Sequence, residues 1–215
     1  MHLSPVSSPT SVWRESVRQR IVVLGGILAV MWAVEIVDLL LWSVSLDGYG
    51  IRPRTWIGLR NILLAPWLHV GFGHLLANTF PFLVLGWLVT LYGMREFWRV
   101  SLVAMLVSGF GVWLLAAPNT IHLGMSGVIF GYLGYLLMRG FFERSLQAIV
   151  LAVLALLLYG GMLWGLVTWH AGVSWLGHLF GFIGGLLAAY QVNGARPAAG
   201  RATLARRFSL PPCFP

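Results

Sequence analysis

The stretch Gly124-Met125-Ser126-Gly127-Val128-Ile129-Phe130-Gly131 opens one long apolar segment with a serine, and another apolar segment contains a histidine, His178. Polar side chains are costly at membrane depth and are retained mainly where they face a bundle interior or a watery cavity. Ser126 precedes Arg139 by thirteen residues, and His178 precedes Gln191 by thirteen. At about 1.5 Å per helical residue, both side chains would lie about 20 Å above the inner boundary of the membrane. This matched depth predicts a nucleophile and its base.

The composition indicates an integral membrane protein. Of the 215 residues, 59% are hydrophobic and only 9% are charged, whereas a soluble domain has about 25% charged residues. The formal net charge of +8 does not indicate nucleic-acid binding, because the arginines cluster in the short links between apolar segments, as topology determinants do. The single cysteine, Cys213, excludes an intramolecular disulfide and a cysteine-ligated zinc site.

Six apolar runs predict an all-α, polytopic bundle, because backbone polar groups in lipid must be satisfied within a helix. Each run is close to the length that a helix needs to cross a membrane. The runs cover residues 21–42, 74–92, 98–117, 124–141, 147–168 and 172–191. The first link is too apolar for water and too broken by glycine and proline to span, so it is expected to lie partly in the outer interface.

One membrane domain is expected over residues 21–192, with a disordered arm over 1–20 and a disordered tail over 193–215. Eleven of the 14 arginines lie in the arm, the second-to-third link, the fourth-to-fifth link or the tail. Arginine-rich loops stay on the cytoplasmic side. The sequence therefore predicts a multi-pass protein of the cell membrane with both termini in the cytoplasm.

Glycines are densest around the serine and the histidine. The pairs that stand four residues apart are Gly127/Gly131, Gly177/Gly181 and Gly181/Gly185. This spacing lets two helix backbones approach closely. General membrane packing would explain it too, but its position beside Ser126 and His178 favours a role in bringing those side chains together.

A second polar pair could bind an oxyanion. His74 and Asn78 are four residues apart, so they share one face of the second predicted helix. Their N–H groups could stabilise the negative charge that develops during acyl transfer. The alternative is that the pair caps the helix or ties down the first link, with His69 in the same role.

Taken together, these motifs resemble those of a rhomboid intramembrane serine protease in its six-helix bacterial form. The matching motifs are Gly124-Met125-Ser126-Gly127, His178 with Gly181 and Gly185, His74-Leu75-Leu76-Ala77-Asn78, and Gly50-Ile51-Arg52-Pro53-Arg54. The resemblance implies that Ser126 attacks a peptide bond in or near a substrate's transmembrane helix while His178 acts as general base and then general acid. It implies that His74, Asn78 and the Ser126 backbone N–H bind the oxyanion, without a third catalytic aspartate, a metal or another cofactor.

Two positions depart from the pattern of that family. Phe130 stands where a tyrosine often packs on the catalytic histidine, so the ring can still stack but the hydroxyl is missing. Thr90 stands where a glutamate is frequent near the inner end of the second helix. The second departure concerns loop anchoring more than catalysis.

Two acids in the first span, Glu35 and Asp38, leave alternatives open. They could form a proton relay or supply a third triad member. We expect them instead to lie towards the outer interface and to hydrogen-bond the first link.

Three functions remain to be compared. An intramembrane serine protease would cleave transmembrane segments of single-pass membrane proteins among membrane lipids, with no nucleic-acid partner. An inactive relative would bind transmembrane helices without cutting them. A channel or transporter using His74, His178 and the acids is disfavoured because the two halves show no evident repeat, and metal-dependent proteolysis is disfavoured because no His-Glu-x-x-His motif occurs.

Overall fold

The computed structural model describes residues 9–41, 45–167 and 172–194, whose regular structure is helical apart from one isolated bridge. The α-helices are α1 Pro9–Leu40, α2 Trp56–Arg60, α3 Gly71–Thr90, α4 Met94–Leu115, α5 Ser126–Glu143, α6 Leu146–Tyr159 and α7 Trp175–Gly194. Short 3₁₀ segments occupy Leu46–Tyr49, Asn61–Leu63, Ala65–Trp67 and Gly160–Leu166. The predicted all-α class is confirmed.

Five helical segments in the described part of the chain are long and apolar enough to cross a membrane. They are Arg14–Leu40, Gly71–Thr90, Met94–Leu115, Leu146–Leu166 and Trp175–Val192. The prediction of a polytopic helical membrane protein is therefore confirmed. Helix α5 is not among these five, so a count of six spans stays a prediction.

Helix α5 lies at the centre of the bundle, in contact with α3, α4, α6 and α7. Twelve of its 18 residues are buried. Neighbouring helices shield it from lipid, so it can contain glycines, Tyr132 and Tyr135, and a buried Arg139 that pairs with Glu143. These residues lower its hydropathy without exposing a polar group to hydrocarbon.

The glycine-rich faces of α5 and α7 pack backbone against backbone. A Cβ atom added at Gly181 would lie 2.0 Å from the Gly127 carbonyl oxygen, and one added at Gly185 would lie 2.0 Å from the Gly131 carbonyl oxygen. No side chain fits in these places. The close helix approach predicted from the four-residue glycine spacing is confirmed.

The first link is folded and packs on the loop before α5 and on the end of α4. Ile51 and His122 form an isolated antiparallel bridge, and the Asn61 side chain donates to the Gly50 carbonyl at 3.1 Å. The Arg54 guanidinium donates to the carbonyls of the last residues of α4, Leu114 at 3.0 Å and Ala116 beyond it at 2.8 Å. Partial immersion of this link in the outer interface stays a prediction.

The disordered arm predicted over residues 1–20 is wrong for residues 9–20, which are the first turns of α1. Glu15 and Arg18 stand three residues apart on one exposed face, with 3.9 Å between their charged groups. Such pairs support a helix in water, so α1 can continue beyond the apolar segment. Residues 1–8 and 195–215, including Cys213, lie outside the described residues, so disorder at both ends stays a prediction.

Candidate active site

Ser126 is the first residue of α5, and the turn before it requires glycine. Gly124 has a φ of +113°, which side-chain-bearing residues rarely adopt. A Cβ at Gly124 would also lie 2.7 Å from Cε1 of His74. The Gly124 N–H donates to the Ala65 carbonyl at 2.8 Å, which fixes this turn to the first link.

The structure brings the Ser126 hydroxyl and the His178 ring into contact, with 3.0 Å between Oγ and Nε2. On the other side of the ring, His178 Nδ1 lies 3.3 Å from the Gly165 carbonyl oxygen. A carbonyl oxygen only accepts, so Nδ1 donates its hydrogen to Gly165 and Nε2 is left to accept the Ser126 proton. This is the tautomer that a general base needs. A backbone carbonyl stands where triad enzymes have a carboxylate.

The close packing of α5 and α7 explains how a short serine side chain reaches the histidine. Ser126 immediately precedes Gly127, and His178 lies three residues before Gly181. Gly127 and Gly181 form one of the two places at which the two backbones approach most tightly. The helix contact therefore brings the two reactive side chains close to each other.

Phe130 holds the face of the His178 ring. The two ring centroids are 4.2 Å apart and the ring planes differ by 12°. This confirms that phenylalanine at this position can stack on the histidine without a hydroxyl. A Cβ at Gly165 would lie 3.1 Å from Phe130 Cζ and 3.4 Å from His178 Nδ1, so the missing side chain at Gly165 lets its carbonyl approach the ring.

His74 and Asn78 line the same cavity as Ser126 and His178. The Val70 N–H donates to His74 Nδ1 at 3.4 Å, which leaves Nε2 of the neutral ring as the protonated nitrogen. The Asn78 side-chain amide donates one hydrogen to the His74 carbonyl at 2.8 Å and retains a second. Ser126 adds a backbone N–H of the first helical turn, which has no acceptor within the helix.

His69 connects the first link to the segment that carries Ser126. The side chain is fully buried, its Nε2 accepts from the Met125 N–H at 3.5 Å, and its ring meets the edge of the His74 ring at 5.2 Å. Burial, together with the neighbouring His74, lowers the pKa of His69 to about 4. His69 is therefore neutral at neutral pH and has the tethering role considered for it from the sequence.

The cavity has a volume of about 590 Å³, within the range of sites that enclose a small ligand. Its wall combines the four polar candidates with apolar side chains such as Ile129 and Met162. The loop before α5 contributes Thr120, Ile121 and His122. This loop therefore forms part of the cavity wall.

The two acids of α1 hold the first link and not the catalytic pair. A side-chain oxygen of Asp38 accepts from the Leu46 N–H, and the buried Glu35 accepts from the backbone of Gly71. Neither acid lines the cavity. Their predicted attachment to the first link is confirmed. Among the described residues, no group of three or more His, Cys, Asp or Glu side chains could hold a metal ion.

Two contacts of the site were not predicted from the sequence. Gly165 orients His178 through its carbonyl, and its only signal was an unexplained glycine near the end of an apolar run. His122 and Ser174 are joined by a hydrogen bond of 2.8 Å between Nδ1 and Oγ. Each residue alone is an ordinary loop residue, so neither carries a signal for this contact.

Comparison with known proteins shows similarity over most of the chain. The family model described as the Rhomboid domain matches residues 56–194. An uncharacterized protein of Mycobacterium tuberculosis is 38% identical over 202 residues, which cover 88% of this chain and 84% of that protein. An uncharacterized protein of Mycobacterium leprae is 40% identical over 77% of this chain and 68% of its own length. A Bacillus subtilis protein, named provisionally as a rhomboid protease, is 27% identical over 79% of this chain and 85% of its own length.

Proposed function

This chain belongs to the rhomboid family, and we propose that it is an intramembrane serine endopeptidase that cleaves transmembrane segments of membrane proteins. The observation that carries the proposal is the 3.0 Å contact between Ser126 Oγ and His178 Nε2. The Gly165 carbonyl supports it by holding His178 in the tautomer that accepts a proton.

In the proposed reaction, Ser126 Oγ attacks the carbonyl carbon of the scissile peptide bond and its proton passes to His178 Nε2. The imidazolium that forms is stabilised by the Gly165 carbonyl at Nδ1–H. His178 then gives the proton to the departing amine as the C–N bond breaks. A water molecule, deprotonated by His178, hydrolyses the Ser126 ester and restores the free hydroxyl.

The oxyanion that forms during attack requires N–H donors, and three are available on the cavity wall. They are Nε2–H of His74, the second amide hydrogen of Asn78 and the backbone N–H of Ser126. Removing one such donor in a serine protease lowers kcat by about 10²–10³-fold. We assign these groups to the oxyanion because they line the same cavity as the nucleophile.

The substrate class follows from the position of the cavity among apolar helices. Carbonyls in an intact helix are hydrogen-bonded and sterically inaccessible, so the segment to be cut must unwind locally. The substrates are membrane proteins with a transmembrane helix that can do so, surrounded by membrane lipids. The arginine distribution supports a location in the cell membrane with both termini in the cytoplasm.

The test is cleavage of a single-pass model substrate by the purified protein in liposomes. Wild-type protein is expected to cut within or near the transmembrane segment, and Ser126→Ala and His178→Ala to lower the rate by at least about a thousandfold. Ser101→Ala is a matched control, because this serine bonds Phe97 and Tyr132 away from the cavity. Unchanged cleavage by Ser126→Ala would refute the assignment, and no cleavage by wild type would favour an inactive relative that only binds helices.

A further inference from the structure

His122 lies where three parts of the chain meet. Its backbone exchanges two hydrogen bonds with Ile51 of the first link, at 2.7 and 3.0 Å. Its side chain reaches Ser174, immediately before α7, with 2.8 Å between Nδ1 and Oγ. Four residues later in the chain comes Ser126. His122 therefore joins the segment that carries the serine to the helix that carries the histidine.

The hydrogen-bond direction in this contact is fixed by a third residue. The Thr120 hydroxyl donates its single hydrogen to the Ala117 carbonyl at 2.6 Å, so towards His122 it can only accept. His122 Nε2, 2.8 Å away, must then carry the ring hydrogen of the neutral side chain, and Nδ1 is the acceptor. It follows that Ser174 donates its hydroxyl hydrogen to His122.

Ser174 is connected to His178 by hydrogen bonds in the first turn of α7. Its backbone carbonyl accepts from the His178 N–H at 3.1 Å, and its Oγ accepts from the Gly177 N–H at 3.4 Å. These are the contacts of a serine at the beginning of a helix. A shift of Ser174 would therefore move the turn from which the His178 ring projects.

The contact between His122 and Ser174 lies between two cavities. His122 and Ser174 both line the 590 Å³ cavity and a second one of about 30 Å³, and Ser126 borders both. Helices α5 and α7 also pack closely near their first turns, through Gly127, Gly177 and Gly181. Besides this packing and the Ser126–His178 contact itself, the hydrogen bond between His122 and Ser174 joins the loop before α5 to the residue before α7.

We propose that His122 is a positioning residue, whose hydrogen bond with Ser174 holds the first turn of α7 so that His178 stays in register with Ser126. The inference rests on the proposed protease function. It does not require His122 to touch the substrate or the reacting atoms. Without the bond, the catalytic contact is formed for a smaller fraction of the time, so kcat falls and KM does not change.

The experiment is a double-mutant cycle with His122→Phe, Ser174→Ala and the double variant. The rate of Ser126 modification by a fluorophosphonate probe and the kcat and KM for a model substrate are measured for each. Each single variant is expected to lower the labelling rate and kcat by about three- to tenfold, the effect of one neutral hydrogen bond. The double variant is expected to be no slower than the slower single variant. Independent, multiplying effects would overturn the proposal.

Ser174→Thr is the matched variant that keeps the hydroxyl, and it should restore the rate that Ser174→Ala loses. A rate as low as that of Ser174→Ala would overturn the proposal. If His122→Phe does not fold, His122→Leu replaces it in the cycle, because Ser174→Ala also removes the oxygen that accepts from the Gly177 N–H and cannot test the bond alone.

Hydrogen exchange separates this inference from the protease assignment. In His122→Phe, which keeps the contact of Ser174 with the Gly177 N–H, the amide of His178 should exchange at least about threefold faster than in wild type, and unchanged exchange would overturn the link. This readout needs no activity. If wild type neither cleaves nor reacts with the probe, the protease function fails, while the exchange rates still report on the contact.

Discussion

Helices α5 and α6 follow each other in the chain but differ in almost every physical respect. Twelve of the 18 residues of α5 are buried, against three of the 14 residues of α6. Together with the 3₁₀ segment that follows it, α6 forms one of the segments apolar enough to cross a membrane, Leu146–Leu166, whereas α5 is not among them. Hydropathy therefore measures exposure to lipid, and the helix that carries the nucleophile is shielded from lipid by its neighbours.

The two helices also differ in how firmly they are held. Helix α5 meets α7 through glycine backbones with no room for a methyl group, as at Gly181. The outer face of α6 presents leucines such as Leu157, which is 78% exposed. Substitutions should therefore have large effects at the α5 contact and small ones away from it.

The largest effect is expected for Gly181→Ala at the α5–α7 contact. The new methyl group would collide with the Gly127 carbonyl, and a clash with backbone cannot be relieved by a rotamer change. We expect a loss of about 3 kcal/mol in unfolding free energy and loss of cleavage. Gly161→Ala, next to α6, has open space around its Cβ position and is the control. Equal stability of the two variants, measured by unfolding in mixed micelles, would contradict the comparison.

Gly124→Ala should lower activity about a hundredfold at the entrance to α5. The substitution places a side chain at a φ of +113°, which is strained, and pushes against the ring of His74. Both effects displace the start of α5 from the oxyanion donors. Gly73→Ala, one residue before His74 but with open space, should retain near wild-type kcat/KM. A Gly124→Ala enzyme of similar kcat/KM would show that this turn tolerates rearrangement.

Acidification should destabilise the protein through His69, beside the start of α5. Burial lowers the pKa of His69 from 6.5 to about 4, so between these values the unfolded chain binds a proton that the folded chain does not. The contribution of neutral His69 to the unfolding free energy is fully present above pH 6.5. It falls as the pH drops towards 4, by at most about 1.4 kcal/mol per pH unit. His69→Gln keeps an acceptor for the Met125 N–H without titrating. Unfolding measured from pH 7 to pH 4 should show a shallower slope for this variant, and identical slopes would exclude His69 as the cause.

Phe130 permits a smaller and more local test within α5. Phe130→Leu keeps the apolar volume but removes the ring stacked on His178, so kcat should fall about two- to tenfold, as expected for one aromatic pair. Phe130→Tyr keeps the ring and should stay within about twofold of wild type. The most informative quantity is the ratio of the kcat values of Phe130→Tyr and Phe130→Leu. A ratio near one would mean that stacking does not orient the histidine.

The smallest effect is expected at the edge of the bundle, in α1. Asp38→Asn keeps a side-chain oxygen that can accept from the Leu46 N–H. Cleavage should therefore remain within about twofold of wild type, as measured by kcat/KM on the model substrate. A loss comparable with that of Ser126→Ala would make Asp38 a participant in catalysis and would contradict its structural assignment.

Much of the architecture is readable from the sequence because local rules decide it. Apolar length predicts the helices, and glycines four residues apart predict the contact between α5 and α7. Local rules also mislead. Charged residues 9–20 suggest a disordered arm, although nothing prevents a helix from continuing into water, and there the structure shows the beginning of α1.

The unpredicted features are contacts between distant backbone groups and ordinary side chains. The Gly165 carbonyl could have been any carbonyl of the segment before α7, and only the fold brings it to His178. The contact between His122 and Ser174 joins residues 52 positions apart. Thr90 is a different case, because its contact is local. Its hydroxyl donates to the Trp87 carbonyl within the same helix, and the sequence alone does not show whether the hydroxyl makes this bond or anchors a loop.

The most direct test of the central claim is the site of covalent modification by a fluorophosphonate probe, mapped by mass spectrometry in wild type and in His178→Ala. If His178 Nε2 activates Ser126, as their 3.0 Å contact indicates, the wild-type protein should be modified at Ser126 and the His178→Ala protein should remain unmodified over the same time. Modification of another residue, or equal modification of Ser126 without the histidine, would contradict the assignment of this pair.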